Sequence, residues 1–103
     1  MSVYGNPQDA TISAGNLETS AIDLGREYED LCLTIPAMGL CKLSLKVSTQ
    51  LSGMYYALED ATTNEETFNR AAIWKLGGWR FIKIVASNTQ PANRVIKVFG
   101  SRP

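Results

Sequence analysis

The sequence predicts an all-β fold: a single small antiparallel β-sandwich, jelly-roll-like, of about eight strands. Three observations carry that prediction. Apolar residues alternate with period two along most of the chain. Turn chemistry interrupts the alternation at short intervals, at Gly15-Asn16, Gly25-Arg26, Pro36 to Gly39, Ser52-Gly53, Gly77-Gly78 and Asn88 to Asn93 around Pro91. No segment reads as a helix. Many short strands with one apolar face each must bury those faces against one another, which a sandwich or small barrel achieves.

Taken in order, residues 1–9 are polar and turn-rich yet carry Val3 and Tyr4, and are expected to form an N-terminal arm ahead of a sandwich domain spanning 10–103. ATIS (10–13) and SAIDLG (20–25) are short strand candidates. LCLTI (31–35) places Leu31, Leu33 and Ile35 on one face. CKLSLKVS (41–48) places Cys41, Leu43, Leu45 and Val47 on one face and Lys42, Ser44, Lys46 and Ser48 on the other, the pattern of a strand with one wet side. If these two form a hairpin, matching their leucine faces pairs 35 with 41, 33 with 43 and 31 with 45. Cys41 then points with the leucines and Cys32 away from them, which predicts two free thiols. MYYAL (54–58) and RAAIWKL (70–76) follow, and the Thr- and Asn-rich stretch across 59–74 predicts an exposed loop.

LGGWRFIKIVAS (76–87) poses a question of function as well as of structure. A glycine-rich loop can cradle a phosphate, but that needs a helix N-terminus or a following Lys-Ser/Thr. Here the two glycines lead into a run rich in aromatic and β-branched residues, so they read as a turn feeding a strand, 79–86. Gly77-Gly78 should bring Trp79, Phe81, Ile82 and Ile84 into the sandwich and leave the charged ends of Arg80 and Lys83 at the surface. Residues 79–86 and 94–100 (RVIKVFG) are apolar on both faces, which marks central or covered strands.

Composition narrows the function. The 103 residues suit one domain, and their formal net charge is zero, which argues against nucleic acid as the partner. The charges are segregated along the chain. Through Glu66 there are ten acids against three bases, a balance of −7; residues 67–103 hold seven bases and no acid, +7. A compact domain would interleave the halves, and otherwise the surface would be polarised. No apolar run reaches the ~18 residues of a membrane span. The N-terminus lacks the basic and apolar pattern of a signal peptide, so synthesis in a cytoplasm and no membrane partner are expected.

The chain has no histidine, which removes the commonest general base and metal ligand and any Ser-His-Asp arrangement. Cys32 and Cys41 lack zinc-site spacing. The acidic pairs Glu29-Asp30, Glu59-Asp60 and Glu65-Glu66 would be needed for a hydrolase, but neighbours on a strand point to opposite faces, so they read as solvated surface. The expectation is a protein with no catalytic residues, no cofactor and no metal. Val3, Tyr4 and Trp74 are candidate anchors of a protein interface, and Tyr55, Tyr56 and Trp79 form the alternative, a stacking platform for sugar rings.

The succession SAIDLGREYEDLCLTIPAM, then CKLSLKVSTQLSGMYYAL, then LGGWRFIKIVASNTQPANRVIKVFGSRP resembles small tailed-phage virion proteins over nearly all of residues 17–100. The shared features are an AIDLG strand leading into a hydrophobic hairpin, a strand of the type LSLKVSTQLSGMYY, a GGWRFIKI strand and a closing FG-containing strand. The same rhythm is similar to discoidin-type, galactose-binding-like β-sandwiches. The resemblance implies a non-enzymatic virion structural protein of a tailed bacteriophage, foremost a capsid decoration or cement protein. It would sit on the major capsid protein or other virion proteins, in many copies, as a homo-oligomer for which a trimer suits the shell symmetry axes. A carbohydrate-binding or receptor-binding module of a phage tail is the alternative it implies.

Overall fold

The computed structural model describes residues 3–102. It contains nine strands: β1 (Val3–Tyr4), β2 (Gln8–Ile12), β3 (Ile22–Asp23), β4 (Asp30–Ile35), β5 (Leu43–Ser48), β6 (Tyr56–Thr62), β7 (Arg70–Lys75), β8 (Phe81–Ala86) and β9 (Arg94–Arg102). There is no helix among the described residues, hence none long and apolar enough to cross a membrane. The strands form two antiparallel sheets. In sheet A, β1 and β2 both lie along one side of β9, β4 lies along the other side, and β7 pairs with β4 at the far edge. Sheet B runs β3-β8-β5-β6.

The alternation seen in the sequence is the alternation of burial. Sheet A contributes Ala10, Ile12, Leu31, Leu33, Ile35, Trp74, Ile96 and Val98 to the core; sheet B contributes Ile22, Leu43, Leu45, Val47, Ile82, Ile84 and Ala86. Removing these side chains from water is the main drive for stacking the sheets. The two strands read as apolar on both faces, β8 and β9, are each flanked on both sides by other strands.

The expected hairpin of 31–35 with 41–47 does not form. β4 pairs with β7 and β9 in sheet A, and β5 pairs with β6 and β8 in sheet B. A leucine face can be buried beside another leucine face or opposite one across the core, and the alternation is the same in both cases. The connecting segment 36–42 therefore crosses between sheets, and its Met38 and Cys41 are buried. Buried Gln90 holds this crossing: its Oε1 accepts from the Gly39 N–H at 2.6 Å and its Nε2 donates to the Gly39 carbonyl at 3.3 Å. Both cysteines are free, Cys41 in the core and Cys32 on the outer face of sheet A.

The loop expected across 59–74 is shorter, residues 63–69, because β6 continues to Thr62 and β7 begins at Arg70. Inside β6 the pairing with β5 shifts register between Ser44 and Lys46, and Asp60 takes a positive φ of 66°. The N-terminal segment is tied to the sheet where it is described: Val3 pairs with Arg102, Tyr4 with Ser101, and Gln8–Ile12 with Val98 to Arg94.

Gly77 and Gly78 have φ of +67° and +94°, the left-handed region that glycine enters without strain. Their N–H groups are already engaged: Gly77 donates to the Glu29 carbonyl at 3.0 Å and Gly78 to the Tyr28 carbonyl at 2.9 Å. The pair is a turn against the 28–29 backbone and not a phosphate cradle. Of the residues that it was expected to bring inside, Ile82 and Ile84 are buried and Trp79 packs against the core, but Phe81 points outward. Its parity along β8 is opposite to that of Ile82 and Ile84.

The segregated charges interleave in space. Asp23 meets Arg80 at 2.7 Å, Glu18 meets Lys83 at 3.5 Å and Asp9 meets Lys97 at 2.7 Å, each an acid of the first two thirds of the chain on a base of the last third. Antiparallel pairing of early strands with β8 and β9 produces this pattern.

Candidate functional site

Three surfaces are the candidates, and the first is the outer face of sheet A, where the exposed apolar residues Tyr4, Ile73 and Val95 lie. Position parity puts Cys32 between Phe99 of β9 and Ile73 of β7 in one row across the sheet. Tyr4 extends the row: its ring meets Phe99 edge-to-face, with centroids 6.4 Å apart at 60°. Tyr4 is 66% exposed and Ile73 70%. A shallow apolar depression lined by Thr34, Ile35, Pro36, Ala71, Val95 and Lys97 continues the band toward the other end of the sheet. The Asp9–Lys97 ion pair lies on the same face. An apolar band with charges at its margin is a surface suited to burial against another protein.

The outer face of sheet B is different, being held by charge. Glu18 Oε2 accepts from Lys46 Nζ at 3.2 Å and its other oxygen lies 3.5 Å from Lys83 Nζ. The hydrogen bond from Lys46, with the nearby Lys83 charge, holds the Glu18 carboxyl below the usual carboxylate range. Arg80 meets Asp23 through Nε to Oδ1 at 2.7 Å and Nη2 to Oδ2 at 3.0 Å, and the Gly25 N–H donates to Oδ1 at 2.8 Å. These bonds, Arg80 first, lower the Asp23 pKa. Arg80 also lies over Phe81, 5.2 Å from the ring centroid, and Lys83 over Tyr55 at 4.8 Å. Desolvation, then the Asp23 charge, pushes the Tyr55 hydroxyl up.

The third surface is a groove of about 480 Å³ beside the glycine turn, walled by Glu27, Ser48, Thr49, Gly77, Gly78, Trp79, Arg80 and Phe81. The groove brings two aromatic side chains, two hydroxyls and a carboxylate together beside a guanidinium that Asp23 already holds, a mix of apolar and polar groups common in small-ligand sites.

The structure separates the residues singled out from sequence. Val3 packs against the core, Tyr4 is on the outer face of sheet A, and Trp74 is 4% exposed, paired with Leu31 inside the sandwich. Trp74 is thus not available as a surface anchor, and its neighbour Ile73 occupies the outward position. Tyr55 donates its hydroxyl to the Leu51 carbonyl at 2.7 Å, Tyr56 is exposed at the edge of sheet B, and Trp79 lines the groove, whose walls include neither tyrosine. Sequence reasoning set Cys32 away from the leucine face, as the structure has it, but did not single out Cys32, Ile73, Val95 and Phe99 as one surface. The signal was there: Lys75 shares parity with Ile73, and Lys97 with Val95 and Phe99. No three His, Cys, Asp or Glu side chains among the described residues converge as a metal site.

The chain is therefore a two-sheet antiparallel β-sandwich, and solved structures share that fold. No family model and no curated protein sequence matches it. It is similar to the SPBc2 prophage-derived protein YomS, with a TM-score of 0.58 at 12% identity, over 93% of this chain and 95% of that one. It is similar to a family 29 carbohydrate-binding module, with a TM-score of 0.61 at 12% identity, over 98% and 89% of the two chains. The Tobacco streak virus coat protein, solved as a dimer, has a TM-score of 0.58 at 12% identity, over 97% and 83%. Identities this low speak to the fold alone.

Proposed function

We propose that this chain is a non-enzymatic structural protein of a tailed-phage particle, seated on the shell as a decoration or cement protein. The observation that carries the reading is the outer face of sheet A, where Tyr4, Phe99, Cys32 and Ile73 form an apolar row whose two ends, Tyr4 and Ile73, are exposed. The sequence resemblance supports it, as do a prophage-derived protein and a viral coat protein among the structural neighbours. In this role the major capsid protein, or another virion protein, covers the row. Copies of the chain on a symmetric lattice, as trimers or otherwise, add weak contacts by multivalency, so that no single contact need be strong. Copy number per purified particle, measured by quantitative mass spectrometry against the shell protein, tests the reading. Hundreds of copies in simple proportion to the shell are expected; absence from the particle defeats it.

A second reading, a carbohydrate-binding or receptor-binding module of a phage tail, is favoured by the groove at Trp79 and Phe81 and by the family 29 carbohydrate-binding modules among the neighbours. About a dozen copies per particle would favour it. So would glycan binding that is lost with Trp79→Ala, or with Tyr55→Ala or Tyr56→Ala.

A further inference from the structure

The four sheet edges are not equally protected. In sheet B, β3 is two residues long, and β6 carries the register shift and the left-handed Asp60. In sheet A, the β1–β2 side is interrupted by Gly5-Asn6-Pro7. Short strands, bulges and prolines are the means by which proteins prevent an edge from templating another strand. β7 has none of them. Arg70–Lys75 pairs with Ile35–Asp30 in unbroken register for six residues, with no glycine or proline inside. On its other side, no backbone N–H or carbonyl of Ala71–Lys75 is hydrogen-bonded to any described residue.

A groove of about 500 Å³ runs along that edge. One wall is β7 itself, Arg70 to Trp74; the other is β6 and the following loop, with Asp60, Thr62, Glu66 and Phe68. Arg70 is engaged in holding the loop, donating to the carbonyls of Asn64, Glu66 and Phe68. Asp60 and Glu66 make no ion pair among the described residues, in contrast to Glu18, Asp23 and Asp9. We infer that this edge accepts an extended segment of a partner protein by strand addition, and that the segment carries basic side chains. Main-chain bonds to β7 would supply affinity. Alternate side chains of the guest would face Ala71 and Ile73 on one side and the carboxylates of Asp60 and Glu66 on the other. A second copy of β7 is disfavoured as the guest, because antiparallel self-pairing about its centre sets Arg70 opposite Lys75. The site shares Arg70, Ala71 and Ile73 with the outer face of sheet A.

The test uses the full chain and two fluorescein-labelled octapeptides, one alternating valine with lysine and one alternating valine with glutamate. Binding is followed by fluorescence anisotropy, and backbone amide exchange is followed by NMR. The expected result is saturable binding of the basic peptide, about tenfold tighter than the acidic one, with new protection confined to β7 amides. Asp60→Asn with Glu66→Gln should bring the two affinities to within about twofold, since two exposed charge pairs are removed, and leave the β7 protection in place. The inference is overturned if neither peptide saturates at millimolar concentration, or if binding protects amides elsewhere and not in β7. It is also overturned if the free protein self-associates through these same amides.

Discussion

At the scale of single residues, Gly100 shows how closely one end of the sandwich is fitted. It pairs with Leu31 from β9, and the ring of Tyr28 lies so close over its backbone that a Cβ there would overlap the ring. A Cβ at Gly5 would in turn come 2.8 Å from the Tyr28 hydroxyl oxygen. Tyr28 is buried, so it has no free space to retreat into. Gly100→Ala should cost about 1–3 kcal/mol by overpacking, read as a lower urea midpoint with an unchanged slope. An unaltered midpoint would mean that the ring moves aside easily. The glycine itself was visible in the sequence, but the tyrosine that requires it lies 72 positions earlier in the chain, and no local pattern joins the two. Trp74 and Ile73 make the complementary point. Size and chemistry favour tryptophan as an anchor, yet strand parity decides which of two neighbours faces out, and parity was legible from Lys75.

At the scale of elements, alternation located the strands because burial of one face leaves a period-two trace whichever strand lies alongside. It did not identify the neighbours. β4 and β5 have the same leucine pattern, and the pairing energy of adjacent strands and the packing energy of facing strands both reward it. Only the contents of the 36–42 segment hint at a crossing: Met38 and Cys41 are apolar in a stretch too hydrophobic for an exposed hairpin loop. The crossing needs an anchor, and Gln90 provides it from the loop before β9. Gln90→Ala should cost about 1 kcal/mol, toward the lower end for a broken buried hydrogen bond because Gly39 itself is open to water. Amide exchange at Gly39 should accelerate while β4 and β5 stay protected. Loss of protection throughout both strands would show instead that the crossing helps hold the two sheets together.

At the scale of the whole molecule, the ion pairs that tie the loops and strands together carry a pH dependence. Glu18 and Asp23 have carboxyl pKa values lowered in the folded state, by Lys46 and by Arg80 respectively. A depressed folded pKa contributes stability that is present above the unfolded value and is lost as pH falls through the folded one. The protein should therefore hold its melting temperature from neutral pH down to about pH 4, the ordinary carboxylate range, and lose it below. Asp23→Asn with Glu18→Gln should flatten that acid limb. These pairs are partly exposed, so salt should weaken them as well. An acid limb unchanged in the double variant would assign the loss to other carboxylates.

The outer face of sheet A sets the last expectation, because it separates folding from assembly. Tyr4 and Ile73 are exposed and lie outside the core, so Tyr4→Ser with Ile73→Ser should shift stability by no more than about 1 kcal/mol. If a shell protein covers the row, the same pair of changes removes its two most exposed apolar side chains, one at each end, and truncating large side chains buried in a contact weakens it. On a lattice of many copies the loss is amplified, since each copy loses the same contact and multivalent retention depends on all of them. The expected outcome is a folded variant, with an unchanged circular dichroism spectrum and a urea midpoint lowered by no more than that shift implies, that no longer co-sediments with particles lacking the native chain. Lys97→Ala, at the charged margin of the band, should weaken attachment much less. If the double variant still co-sediments while Trp79→Ala does not, the contact lies at the groove beside the glycine turn and the sheet A face is only solvent-facing surface. If both retain attachment, neither face is the contact, and a strand accepted along β7 is then the docking mode that the fold still offers.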